Sequence, residues 1–246
     1  MVYFGVVALI RTTMSNLSKL LSTSVRISNL SPFDNDAVWP QGIEIAIMRV
    51  PIRKRDGYTP ELITSLATKL KSHMALNGIA FLICYAPQES KSRPFEIASA
   101  MTQAGLNHID NIIIEKSWLP GKRSEVNLVN SHEYVLYFCN GSVWKLDRSP
   151  IRRYLRIPEE ISCVGNLWKV EVGSLDDAYP LDLAELLIRM TDCLPGSLVF
   201  DAFMGTAAAL KTCLKFGHTF YGFEKDPKRI KRYEKIIEEF QDKTKK

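Results

Sequence analysis

Short, almost wholly apolar runs alternate along this chain with longer stretches whose apolar residues recur every three or four positions. Ile43–Met48 is apolar apart from Glu44, and Ile79–Tyr85, His108–Glu115 and Ser131–Phe138 are runs of the same kind. Each predicts a strand buried in a sheet. Pro60–Leu76 carries Leu62, Ile63, Leu66, Leu70 and Met74 at helical spacing, with Asn77-Gly78 as a stop. Phe95–Ala104, closed by Gly105, and Pro180–Cys193, with Leu183, Leu186, Leu187 and Met190 on one side, predict two more helices. Ser24–Leu30 predicts a short first strand, Asn166–Val170 a short edge segment, and Pro227–Phe240 a charged last helix. Strands and helices in turn argue for an α/β fold with a mostly parallel sheet and helices on both faces.

One segment carries more chemistry than the rest. Leu198–Asp201 is an apolar run ending in an acid, followed by a Gly turn, a short apolar helix, and Thr219–Glu224, a second run ending in an acid. This is a βαβ unit, and it puts Asp201 and Glu224 at the carboxyl ends of neighbouring parallel strands, where open α/β sheets bind ligands. The spacing suits an acid that accepts hydrogen bonds from ribose hydroxyls. No Gly-x-Gly-x-x-Gly follows the first strand, which argues against a dinucleotide.

Composition narrows the class without deciding it. The chain has 246 residues, 46% apolar and 24% charged, with a net charge of +5. That is enough for one large domain and permits an acidic partner such as nucleic acid. Five scattered cysteines and four dispersed histidines show no metal-ligand spacing, so the cysteines are expected as buried thiols in a reducing, cytoplasmic compartment and no metal is expected. No run approaches the ~20 apolar residues of a membrane span. The apolar opening Met1–Ile10 lacks the flanks of a signal peptide, and Met1 and Met14 are both candidate starts.

Several segments together resemble the DNA amino-methyltransferases that modify adenine N6 or cytosine N4, in the permuted class whose catalytic half precedes the cofactor half. Asp201-Ala202-Phe203-Met204-Gly205-Thr206 resembles the family's Asp-Pro-Phe-Met-Gly-Ser loop, and Tyr221–Pro227 resembles its Ile-Gly-Ile-Glu-x-Asp-Pro segment. Gly165-Asn166-Leu167-Trp168 resembles its Gly-Asn-Val-Trp, and His132–Leu136 its His-Glu-Tyr-Ile-Leu strand. The resemblance spans roughly residues 25–240. It implies one Rossmann-like domain on a seven-stranded, mostly parallel sheet: a catalytic half over 24–141, a short basic recognition-like segment over 142–164, and a cofactor half over 165–246.

It also implies S-adenosylmethionine as cofactor, with Asp201, Phe203, Gly205, Thr206, Glu224 and Asp226 around it. Two departures stand out in that half. Where the family continues Gly-Ser-Gly-Thr-Thr, this chain has Thr206-Ala207-Ala208-Ala209 after Gly205, which is expected to set a methyl group where backbone and ligand approach. Its His-Pro becomes Tyr179-Pro180.

The catalytic half departs further. After the Ile43–Met48 strand the family carries Asp/Asn/Ser-Pro-Pro-aromatic, whose first side chain accepts a hydrogen bond from the exocyclic amine while the ring stacks on the flipped base. Here the position reads Arg49-Val50-Pro51-Ile52. An acceptor has become a group with donors only, and the ring has become aliphatic. Ser31-Pro32-Phe33 is a rival motif, but it follows the wrong strand.

Arg53, Lys54 and Arg55 at the mouth of the cleft, Lys122 and Arg123 beside Trp118, and Arg152 and Arg153 beside Tyr154 are basic groups with neighbouring aromatics, suited to nucleic acid. DNA is the expected partner, with RNA as the alternative. The short recognition-like segment implies low sequence selectivity, or a homo-oligomer or protein partner that supplies it. Two functions follow: an amine-type DNA methyltransferase weakened or altered in catalysis, or an inactive relative that binds nucleic acid or supports a partner.

Overall fold

The computed structural model describes residues 25–51, 57–87, 90–115, 131–143, 146–161, 163–170 and 179–244. They form one sheet of eight strands: β1 (Val25–Ser28), β2 (Ile43–Arg49), β3 (Met74–Cys84), β4 (Asn107–Glu115), β5 (His132–Cys139), β6 (Leu167–Lys169), β7 (Leu198–Asp201) and β8 (Thr219–Phe223). The helices are α1 (Pro60–His73), α2 (Arg93–Gln103), α3 (Ser149–Tyr154), α4 (Leu181–Arg189), α5 (Ala208–Phe216) and α6 (Pro227–Thr244). The strand order is β1-β8-β7-β2-β3-β5-β4-β6. Pairing is parallel from β1 to β3 and between β4 and β6, while β5 runs antiparallel between β3 and β4. The expected seven strands become eight because the short segment at Leu167–Lys169 adds an edge.

Both faces of the sheet are covered, which is why its strands read as continuous apolar runs. On one face Ile45, Ile47, Phe81, Val135 and Val199 pack beneath α4, α5 and the buried ring of Tyr233 on α6. On the other, Ala46, Met48, Leu82, Leu136 and Phe200 pack beneath α1 and α2. Each fully buried side chain of this size contributes roughly 1.5–3 kcal/mol. Glu44, the one polar residue in β2 before Arg49, accepts from the Ser197 hydroxyl at 2.8 Å and the Leu198 amide at 3.2 Å, tying β2 to the start of β7.

α1 begins where its sequence says: Thr59 accepts the Leu62 amide at 3.1 Å, with Pro60 in the first turn. It ends earlier than Leu76, because Met74 is already extended and pairs with Ile43. Asn77 and Gly78, expected as a helix stop, lie inside β3. Asn77 there takes a φ of 62°, and a Cβ on Gly78 would lie 2.7 Å from the Ile43 carbonyl oxygen. α4 is shorter than Pro180–Cys193, running from Leu181 to Arg189. The cysteines are free, but not all buried: Cys84, Cys139 and Cys213 are, Cys193 is half-buried, and Cys163 is exposed. No described helix is long and apolar enough to cross a membrane.

Candidate active site

A cleft of about 380 Å³ opens at the carboxyl ends of β1, β2, β7 and β8. Its walls include Ser31-Pro32-Phe33 after β1, Arg49-Val50-Pro51 after β2, Phe203 and Gly205 after β7, and Glu224 and Arg229 after β8. Three of the six expected cofactor residues, Phe203, Gly205 and Glu224, therefore line one cleft. Thr206 and Asp226 lie outside its lining; Asp226 accepts the Lys228 amide at 2.9 Å at the start of α6.

Glu224 is buried and firmly held. One carboxylate oxygen accepts the Asp226 amide at 3.0 Å; the other has the Tyr233 hydroxyl at 3.1 Å and an Arg229 nitrogen at 3.5 Å. A carboxylate has about four lone-pair sites, so acceptor capacity remains towards the cleft. The Tyr233 hydroxyl also lies 2.6 Å from the Gly205 carbonyl, so its single proton is shared between the loop after β7 and the acid after β8. Burial, reinforced by Glu224, raises its pKa and keeps it a neutral donor.

Asp201 sits beneath the loop rather than in the cleft wall. It is wholly buried, accepting the Tyr179 hydroxyl at 2.8 Å and the Phe203 amide at 2.9 Å. Burial raises its carboxyl to about 7, with the neighbouring Glu224 adding to the rise and the two hydrogen bonds opposing it. Its side chain shapes the turn that carries Phe203.

Ala207 departs from expectation in an informative way. It holds a left-handed conformation, φ 60° and ψ 35°, the kind of backbone that favours glycine. Its methyl is buried in the core under the sheet and does not line the cleft. The expected clash with a ligand does not arise; the cost is backbone strain of about 1–2 kcal/mol.

At the other wall, Arg49 donates to Glu133 at 2.8 Å, with both side chains almost buried, and its guanidinium lies 5.7 Å from the centre of the Tyr85 ring. The pair reaches from β2 to β5 across β3, whose Ile83 is paired with both Arg49 and Val135. Ser31-Pro32-Phe33 reaches this same cleft from β1, and the Phe33 ring stands 6.1 Å from that of Phe203.

The basic surface is only partly described. Ile52, Arg53, Lys54, Arg55, Lys122 and Arg123 lie outside the described residues. Arg152 donates to the carbonyls of Pro158 at 2.8 Å and Ile161 at 2.6 Å, pinning the loop after α3, while Arg153 is exposed. No group of three or more potential metal ligands occurs among the described residues.

The N6/N4 DNA methylase family model matches residues 61–237. The chain belongs to that family. Solved structures agree in fold. The M1.HpyAVI–SAM complex is 16% identical, covers 87% of this chain and 99% of its own, and has a TM-score of 0.65. TTHA0409 from Thermus thermophilus, a putative DNA modification methylase complexed with S-adenosyl-L-methionine, is 18% identical over 83% of this chain and 90% of its own, with a TM-score of 0.61. The PvuII cytosine-N4-specific DNA methyltransferase is 13% identical over 83% of each chain, with a TM-score of 0.67. No curated protein matches the sequence.

For a DNA methylase, three residues of this site escape a reading of the sequence. Tyr179 is visible there only as a departure from His-Pro, and Tyr233 only as an aromatic in a charged helix. Glu133 reads as part of a strand motif, with no sign that its partner is Arg49.

Proposed function

We propose that this chain binds S-adenosylmethionine in the cleft and meets DNA there, with a catalytic centre altered from that of an ordinary amine methylase. The residues present fit the cofactor. The volume lies in the range of ligand pockets. Glu224 offers oriented acceptors for the ribose hydroxyls, Gly205 offers bare backbone to the methionine portion, and Phe203 borders the base. The cofactor would supply an activated methyl group, and everything else falls on the chain.

The observation that carries the altered chemistry is the ion pair between Arg49 and Glu133. Amine methylation requires an acceptor that draws the amine hydrogens and leaves its lone pair facing the methyl group. Arg49 has donors only, and Glu133 is already engaged behind it. Losing a group that manages protons costs typically 10²–10⁴ in rate. The same pair supports a second reading, a non-catalytic nucleic-acid module, since a guanidinium in the cleft favours groups that accept hydrogen bonds. RNA as acceptor and a partner subunit that supplies selectivity belong to this reading.

Calorimetry and labelled-methyl transfer test the proposal together. Saturable binding of S-adenosylmethionine that is lost in Glu224→Ala is expected, with transfer to DNA amino groups at least about 100-fold below an ordinary amine methylase. Absence of cofactor binding overturns the cofactor assignment. Efficient amine methylation by the parent chain overturns the altered centre, and transfer to RNA alone redirects the substrate.

A further inference from the structure

We propose a second binding site, for a neutral planar heteroaromatic ring of nucleobase size, near the opposite edge of the sheet from β1. A cavity of about 150 Å³ lies there among β4, β5, the start of α3 and the turn into β6, and it shares no lining residue with the cleft. A cavity of this volume holds a benzene-sized ring.

Tyr137 on β5 marks it as more than a packing gap. Its side chain is 2% exposed and lines the cavity, and its hydroxyl has no hydrogen-bond partner among the described residues. Leaving a buried hydroxyl unpaired costs roughly 1–3 kcal/mol by mutational measures. The ring itself is fixed, 5.0 Å from that of Phe81. Burial raises the hydroxyl pKa, so it stays a neutral donor, and what completes it is an acceptor such as a ring nitrogen or carbonyl.

The rest of the lining selects shape and charge. Ile112, Met190 and the buried indole of Trp168 give apolar walls; the indole N–H is already donated to the Gly165 carbonyl at 2.8 Å. Asp110 and Arg148 bring one charge of each sign, so neither an anion nor a cation is selected. β4 shifts register between His108 and Asp110 beside the cavity, an irregularity of the kind that re-aims side chains next to sites.

The test uses the full chain with carbon-13 methyl labels on Ile and Met, titrated with nicotinamide and cytosine, and with benzene as a ring without an acceptor. Saturable shifts at the Ile112, Ile151 and Met190 methyls are expected for nicotinamide or cytosine. In Tyr137→Phe their affinity should fall about ten-fold, the value of one hydrogen bond, while benzene is unaffected. No saturable shift at the solubility limit, or equal affinity in Tyr137→Phe, overturns the site. Should that variant not fold, nuclear Overhauser contacts from the probe to the Tyr137 ring in the parent decide: their presence supports the site and their absence overturns it. Neither result bears on the cofactor cleft, which is built from other residues.

Discussion

Arg49 on β2 and Glu133 on β5 meet at 2.8 Å across a strand that belongs to neither of them. The pair occupies the wall where the family presents an acceptor, and it ties the parallel part of the sheet to its antiparallel strand. Removing one partner leaves a buried charge alone, at a typical cost of about 3–5 kcal/mol. Arg49→Met should therefore destabilise by about that amount, whereas Arg49→Met with Glu133→Leu should recover most of it. Urea denaturation of both variants and the parent measures the cycle; a double variant no more stable than the single one would show that the pair is not a closed unit.

The same wall can be tested for chemistry. Arg49→Asn with Glu133→Gln restores an acceptor at the cleft and leaves no lone charge behind it. Labelled-methyl transfer to DNA by this variant should exceed that of the parent by about 10-fold or more, a partial recovery of what a proton-managing group supplies. No gain would place the block elsewhere, at Val50 or Ile52.

Asp201 makes stability depend on pH in an unusual direction for a carboxylate. Its folded pKa of about 7 lies above the ordinary value, so its protonated form is favoured by folding. The stability it contributes is full below the ordinary pKa of about 4 and is lost as pH rises through about 7. The loss approaches, at most, about 1.4 kcal/mol per pH unit within that window. Urea midpoints from about pH 4.5 to 8 should fall more steeply in the parent than in Asp201→Asn. Parallel profiles would mean that Asp201 titrates alike in both states.

Ala207→Gly should raise stability by about 0.5–1 kcal/mol, since relief of the left-handed strain exceeds the entropic cost of glycine. A chain of this size would then melt roughly 2–4 °C higher for each kcal/mol gained. A lower melting temperature would show that the buried methyl contributes more than the strain costs.

Tyr233→Phe keeps the ring in the core but frees both Gly205 and Glu224. Affinity for S-adenosylmethionine should drop about ten-fold by calorimetry, with a stability loss near ~1 kcal/mol. Unchanged affinity would mean that the acid holds its place through Asp226 and Arg229 alone.

Much of this architecture is legible in the sequence because the sheet is buried on both faces, so its strands appear as apolar runs and its helices as apolar stripes. The βαβ unit around Asp201 and Glu224 is read correctly for that reason. Asn77-Gly78 misleads because the same pair that stops a helix also makes an irregularity in a strand, and only the pairing of Met74 with Ile43 decides between them. Asp201 misleads because an acid at a strand tip looks the same in sequence whether it faces ligand or Tyr179. The Arg49–Glu133 pair is invisible for a different reason. Its residues are 84 positions apart, and contact across an intervening strand has no periodic signature.

The tie from Tyr233 has a consequence for the order in which the protein is built. α6 follows every other described element, and it carries the hydroxyl that braces the ribose-facing acid against the loop after β7. While the chain is still emerging from the ribosome, the walls of the nucleoside pocket can assemble without that brace, so the nascent protein should acquire its full grip on ligand only after the last helix has docked.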